Sequence, residues 1–279
     1  MEPWISELIP DKEVVDAIRS MTNIDELRLS VGQPVFIRTE HGEYRIGHEW
    51  TSEQISGVVL AACRQSVYAH NETLCKGYLT LDGGHRMGVC GAGVVRNGSV
   101  QNLIHPTSLV LRFARELPGI ADSLIQCNDS VLIIGSPGCG KTTLLRDFVR
   151  VLSDVKKRRV GLADERGEIS AVVNGKPGFS IGCRTDVLVH VPKAEAVMML
   201  LRTMNPQWIV MDEITSKPDI QAIRTVSNCG VKLAATAHAE SMGDLRQRPI
   251  YRELMDGGIF SYVVLMKSDH SFELSERLP

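Results

Sequence analysis

The segment from Val131 to Thr143, VLIIGSPGCGKTT, constrains this chain more than any other. Its apolar start predicts a buried strand, which runs directly into Gly135, Ser136, Pro137, Gly138, Cys139, Gly140, Lys141, Thr142 and Thr143. Glycines at this spacing let the backbone curl with its amides facing inward, and a helix starting near Lys141 turns its positive end to the same point. The spacing therefore predicts a phosphate cradle for ATP: loop amides and the Lys141 ammonium for the phosphates, and the Thr142 hydroxyl for Mg2+. The following TTLLRDFVRVL has the periodicity of an amphipathic helix. Cys139 falls beside the phosphate amides, where positive potential favours reaction of its thiol with alkylating agents, and bound ATP is expected to protect it.

At 279 residues the chain is long enough for two domains, each burying its own core. No apolar run approaches bilayer-spanning length, and MEPWISELIPDKEVV lacks the basic and apolar regions of a leader, so the expected location is cytoplasmic without direct membrane insertion. Seven cysteines without a Cys-x-x-Cys pair fit reduced thiols better than a disulfide framework or a zinc site. A net charge of −2 argues against nucleic acid as a partner. The one basic run, Lys156 to Arg159, is read as closing a helix, where cations complement the dipole.

The N-terminal part predicts an α+β domain over residues 1–117. Lys12 to Met21 has helical spacing, and DELRLSVGQPVFIRTEHGEYRI forms alternating strands around Gly32 to Pro34 with a later turn at His41-Gly42. Thr51 and Gln54 make a capping box that opens the helix SEQISGVVLAACRQSVYAH. Asp82 to Gly84 and Asn97-Gly98 mark hairpin turns, and TSLVLRFARE alternates from Thr107 to Glu116. Leu117 to Asp122 breaks the pattern, and beyond it residues 118–279 predict a mostly parallel sheet covered by helices. The expected strands are Val131–Ile134, Val160–Ala163, Trp208–Met211, Lys232–Thr236 and Tyr262–Met266.

Hydrolysis requires acids as well as a cradle. Trp208 to Met211 is a buried strand whose end delivers Asp212 to the magnesium shell and Glu213 toward an attacking water. Asp164, Glu165, Arg166 and Glu168 follow the strand VGLA, and His238 follows LAATA. Carboxyl ends of parallel strands surround the ligand crevice, so these groups are expected to converge on the γ-phosphate.

The order of phosphate loop, DERGEI, VPKAEAVMMLLRTMNPQWIVMDEI and TAHA resembles the traffic ATPases of type II and type IV secretion and pilus machines. With ELRLSVGQPVFIR, GYLTLDGGHRMGVCG and LVLRFARE added, nearly the whole chain resembles the stage III sporulation protein AA family. That resemblance implies a RecA-like ATPase domain behind a smaller α+β domain, a homo-hexameric ring, and protein partners in a membrane channel complex that recruit it to the membrane. It also implies roles: Lys141 and Thr142 on phosphate and magnesium, Asp212 on the metal, Glu213 on water, His238 as the histidine box and Glu165 as the acidic box. Ile214 to Lys217 departs from the Ile-Arg-Asp pattern of the secretion ATPases, so no role rests on that arginine.

A ring motor completes its site with an arginine against the charge of the transition state. Arg184, Arg202, Arg112 and Arg115 are the candidates; the resemblance aligns Arg202 with an arginine ahead of the acidic strand and leaves Arg184 second. Two other functions use the same residues: a nucleic-acid-stimulated RecA-like ATPase, and an ATP-dependent assembly switch.

Overall fold

The structure, a computed structural model, describes residues 4–63, 71–96, 98–173 and 175–276. The chain divides into two compact units, Met1–Arg115 and Glu116–Pro279. The junction read from sequence lies slightly later, after Leu117.

The first unit contains helices α1 (Trp4–Leu8) and α2 (Lys12–Ser20), strands β1 (Ile24–Ser30), β2 (Val35–Thr39) and β3 (Gly42–Ile46), helices α3 (Ser52–Ala62) and α4 (Asn71–Cys75), and strands β4 (Tyr78–Thr80), β5 (Arg86–Arg96) and β6 (Ser99–Arg112). The strands form a six-stranded antiparallel sheet in the order β3-β2-β1-β6-β5-β4. Alternation sets its faces: Leu27, Leu29, Val35 and Ile37 are fully buried against Val14 and Ile18 of α2 and Ile55 and Val58 of α3. Asp11 caps α2 by accepting from the Val14 N–H at 3.1 Å, and the Thr51–Gln54 capping box opens α3. The part of the predicted helix beyond Cys63, to His70, lies outside the described residues, as does Asn97 of the second hairpin turn. The last strand begins well before Thr107. It pairs with β5 from Ser99 onward, and register shifts between Cys90 and Ala92 and between Val94 and Val95 break the alternation that would reveal it.

The second unit contains β7 (Val131–Gly135), α5 (Lys141–Arg150), β8 (Val160–Asp164), β9 (Thr185–Val189), α6 (Lys193–Thr203), β10 (Trp208–Met211), α7 (Lys217–Asn228), β11 (Lys232–His238), α8 (Met242–Gln247), α9 (Pro249–Asp256), β12 (Tyr262–Met266) and β13 (Phe272–Glu276). The sheet order is β13-β12-β7-β11-β10-β8-β9, parallel throughout except for the antiparallel β13. Successive residues of β7 feed opposite cores. Leu132 and Ile134 pack with α6, α7 and α9, whereas Val131 and Ile133 pack with Leu144, Leu145 and Phe148 of α5. Burial on both faces explains why the central strands are uninterrupted apolar runs. The edge strands β9 and β13 add to the five read from sequence. Thr185–Val189 and residues 272–275 are at most partly buried and carry weaker apolar patterns. Strands β7, β8, β10 and β11 all end at one side of the sheet, where Gly135, Asp164, Asp212 and His238 come together.

Candidate functional site

The glycine loop closes by steric necessity. A Cβ at Gly135 would lie 2.6 Å from the Cys139 sulfur and 2.9 Å from the Met266 Cβ, and Gly140 enters α5 with a left-handed φ of 95°. Pro137 and Gly138 form the exposed tip, and Thr143 lies half-buried on the first turn of the helix. Lys141 is only 7% exposed; its ammonium donates to Gly135 O at 2.8 Å and Ser136 O at 2.7 Å. Its third neighbour is His238 Nδ1 at 3.3 Å. An ammonium has no acceptor, so His238 accepts at Nδ1 and carries its proton on Nε2. The reactive thiol expected at Cys139 is not presented: the residue is 4% exposed and its sulfur fills space beneath the loop among Leu144 and Met266. His270, from the turn after β12, adds a contact to Cys139 O at 3.2 Å.

Asp212 and Glu213 follow β10 and are ordered by Thr236 of the adjacent strand. The Thr142 hydroxyl donates to Asp212 Oδ2 at 2.9 Å, and the Thr236 hydroxyl donates to Asp212 Oδ1. Thr236, 1% exposed, also accepts the Glu213 N–H at 2.7 Å. Glu213 has a left-handed φ of 47°. Its carboxylate meets His238 Nε2 at 2.9 Å and Arg166 Nη1 at 3.1 Å, while Lys193 donates to its carbonyl. The Tyr251 phenol donates to Ile214 O at 3.0 Å, and burial pushes that phenol above its ordinary value. Lys141, Thr142, Asp212, Glu213 and His238 thus share one connected network at the carboxyl ends of the strands.

The other sequence candidates lie elsewhere. Glu165 turns to Lys193 at 3.8 Å and, among the described residues, is joined to that network through this lysine. Arg202 is exposed on the last turn of α6, a helix of 11 residues, so it lies about 13.5 Å along the axis from the end that Lys193 brings to Glu213. Arg184 precedes β9, and its carbonyl accepts from Val160 at the amino end of the sheet. In the first unit, Arg112 pairs with Glu26 at 3.7 Å and Arg115 with Asp25 at 2.6 Å. Arg146 of α5 stacks over the Phe179 ring and donates to Glu168 O and Ile169 O at 2.7 and 3.0 Å. Burial pushes its guanidinium below the ordinary value, countered by Glu116, Asp164, Asp212 and Glu168.

Sequence reasoning assigned no role to Thr236 or Lys193, and placed Arg166 only among the group after VGLA expected near the γ-phosphate, without its contact to Glu213. Thr236 carried a usable signal, since it stands two residues before His238 and a strand points alternate residues to one side. Lys193 carried none, and the contact of Arg166 with Glu213 carried none, because both depend on how a turn and a helix start are set in space. Among the described residues, no cluster of three or more His, Cys, Asp or Glu could hold a metal by itself, and no helix is long and apolar enough to cross a membrane.

Comparison with known proteins agrees with this architecture. The pilus retraction motor PilT, solved with bound ADP, superposes with a TM-score of 0.64 at 13% identity, covering 96% of this chain and 84% of that one. The ATPase DotB of Legionella pneumophila gives 0.58 at 15% identity, covering 93% and 77%. The fold is therefore the RecA-like fold of secretion ATPases, with the smaller α+β unit ahead of it. In sequence, the chain is 35% identical over 269 residues to stage III sporulation protein AA of Bacillus subtilis (strain 168), covering 92% of this chain and 88% of that protein. The protein ycf45 of Porphyra purpurea is 35% identical over 173 residues, 61% of this chain and 29% of that protein. The family model described as sporulation stage III, protein AA matches residues 11–274, and the chain belongs to that family.

Proposed function

We propose that this protein is an ATP-hydrolysing motor, acting as a homo-hexamer at the cytoplasmic face of a membrane to energise a sporulation-specific channel or secretion complex. One observation carries the reading: the Lys141 ammonium, the Thr142–Asp212 pair and the His238–Glu213 pair stand together at the carboxyl ends of parallel strands. Lys141 and the loop amides bind the phosphates. Glu213 accepts a hydrogen bond from the attacking water. The water oxygen bonds to the γ-phosphorus, the bridging oxygen leaves with ADP, and the proton released from water passes to Glu213. His238 holds Glu213 in place and links it to the lysine on the phosphates. Its Nδ1 acceptor is needed for that link, so a protonated imidazole would repel Lys141.

Magnesium fits the donors present. Thr142 and Asp212 are hard oxygen ligands 2.9 Å apart, and two protein donors leave room for the waters and phosphate oxygens that this ion keeps. When bound, it neutralises charge on the phosphates. Recruitment to the membrane is assigned to protein partners.

The decisive experiment is ATP turnover by purified Glu213→Gln protein. Turnover is expected to fall by about 10²- to 10⁴-fold with nucleotide affinity retained. An unchanged rate would break the assigned chemistry. Strong, salt-sensitive stimulation by single-stranded nucleic acid would move the function away from a channel motor. Assembly by wild-type protein with ATP and without turnover would make it a switch.

A further inference from the structure

Arg166 is exposed, yet its position is tightly specified. It stands in the turn after β8, which is pinned from beneath by Asp164, 2% exposed. That carboxylate accepts from the N–H groups of Glu168 at 3.0 Å and Ser170 at 2.8 Å, and from the Ser170 hydroxyl at 2.6 Å. Arg146 holds the same turn through the carbonyls of Glu168 and Ile169. From this anchored turn the Arg166 guanidinium reaches Glu213 Oε2 at 3.1 Å, while His238 holds Oε1 at 2.9 Å. Arg166 is therefore the last member of a chain of side chains that begins at the Lys141 ammonium. Its side chain is 64% exposed, and its other N–H donors make no further hydrogen bond among the described residues.

Phosphoryl transfer spreads negative charge over the equatorial oxygens, and an arginine meeting that charge accelerates the step whether it comes from the same chain or a neighbour. Arg202 and Arg184 lie toward the amino end of the sheet, and Arg112 and Arg115 are occupied by Glu26 and Asp25. Of the arginines weighed, Arg166 is the one in contact with Glu213.

Resting on the ATPase reading above, we infer that Arg166 is the arginine of the hydrolytic step, supplied in cis. The γ-phosphate oxygens compete with Glu213 for the guanidinium. As Arg166 turns to them, the Glu213 carboxylate is released to accept from water. Arg166 exchanges neither protons nor electrons: it neutralises charge while the water–phosphorus bond forms and the bridging bond breaks.

The test compares wild type with Arg166→Ala, Arg166→Gln, Arg166→Lys, Arg202→Ala and Arg184→Ala, each checked by thermal melting. Turnover, KM, ADP affinity and trapping of Mg-ADP with fluoroaluminate, a mimic of the transferring phosphoryl group, are measured. Arg166→Ala and Arg166→Gln are expected to lower kcat by about 10³-fold or more and to abolish trapping. KM and ADP affinity are expected to stay within about threefold. Arg166→Lys recovers little, because a point charge does not reproduce the guanidinium fork. If both neutral variants turn over at the wild-type rate, or lose ADP affinity in parallel with kcat, the inference is overturned. Loss confined to Arg202→Ala or Arg184→Ala overturns it in favour of a neighbouring subunit. Wild-type protein without turnover removes the ATPase reading itself, whereas inactive Glu213→Gln beside active Arg166→Ala removes only the inference.

Discussion

At the amino end of the seven-stranded sheet, Lys156 donates to Cys127 O and Asn128, Arg159 donates to Asn205 O, and Lys232 pairs with the neighbouring Asp129. At the carboxyl end, Lys141 meets His238, His238 meets Glu213, and Glu213 meets Arg166. The first set closes loops and helix ends, where cations satisfy orphan carbonyls and oppose the helix dipole. The second set joins side chains from separate strand ends, and such side chains can exchange partners with a ligand without unmaking the backbone. Lys141 also leans on the carbonyls of Gly135 and Ser136, but these belong to the glycine loop, whose proposed task is to receive phosphate. Cationic residues alone therefore do not distinguish a binding end from a structural one; the identity of their partners does.

The same substitution at each end provides the sharpest test of that contrast. Lys141→Met is expected to weaken ATP binding by about 10²-fold, since hydrogen bonds to charged groups contribute about 1.5–3 kcal/mol each. Lys156→Met is expected to leave that affinity unchanged and to lower stability by about 1 kcal/mol. Fluorescent-nucleotide titration and urea melts measure both, and a weakened nucleotide complex in Lys156→Met would break the comparison.

Thr236→Val probes how firmly the carboxyl end is set. Removing its hydroxyl leaves the Glu213 N–H and Asp212 without their shared partner. Turnover is expected to fall by about 10²-fold through misplacement of the acids, with about 1–3 kcal/mol lost in stability. Full turnover in this variant would mean that the acids position themselves.

The smallest effect belongs to Asp154, near the amino end. The Cys183 N–H, at 2.8 Å, is the leading cause that holds its carboxyl below the ordinary value. A lowered folded value contributes stability above the unfolded value of about 3.9, and that contribution is lost as pH falls through the folded one. The melting difference between wild type and Asp154→Asn is therefore expected to be present at neutral pH and to shrink below about pH 4. A difference independent of pH would assign the effect to shape rather than charge.

The strands that build the site were legible because they are buried on both faces: Ile133, Val210 and Ala234 leave no polar alternation to misread. The tight glycine loop was legible because Gly135 and Gly140 meet steric and backbone demands that a side chain would strain. Edge strand β9 was not, since its residues are only partly buried and a long irregular segment precedes it. Nor was the partnership of Arg166 with Glu213, which joins the turn after β8 to the end of β10 and depends on Asp164 anchoring that turn. Cys139 shows the opposite error: a reactive thiol was read from its place in the glycine loop, but the residue is 4% exposed and packs in the core with Leu144 and Met266.

The left-handed backbone of Glu213 sets fitness against robustness. A side chain other than glycine or asparagine in that conformation costs about 1 kcal/mol or more. Variants such as Glu213→Gly or Glu213→Asn relieve that cost at the residue assigned to water. Laboratory selection of this protein for heat resistance alone would therefore favour replacements at a residue to which the proposed chemistry is assigned, opposed by its pairs with His238 and Arg166.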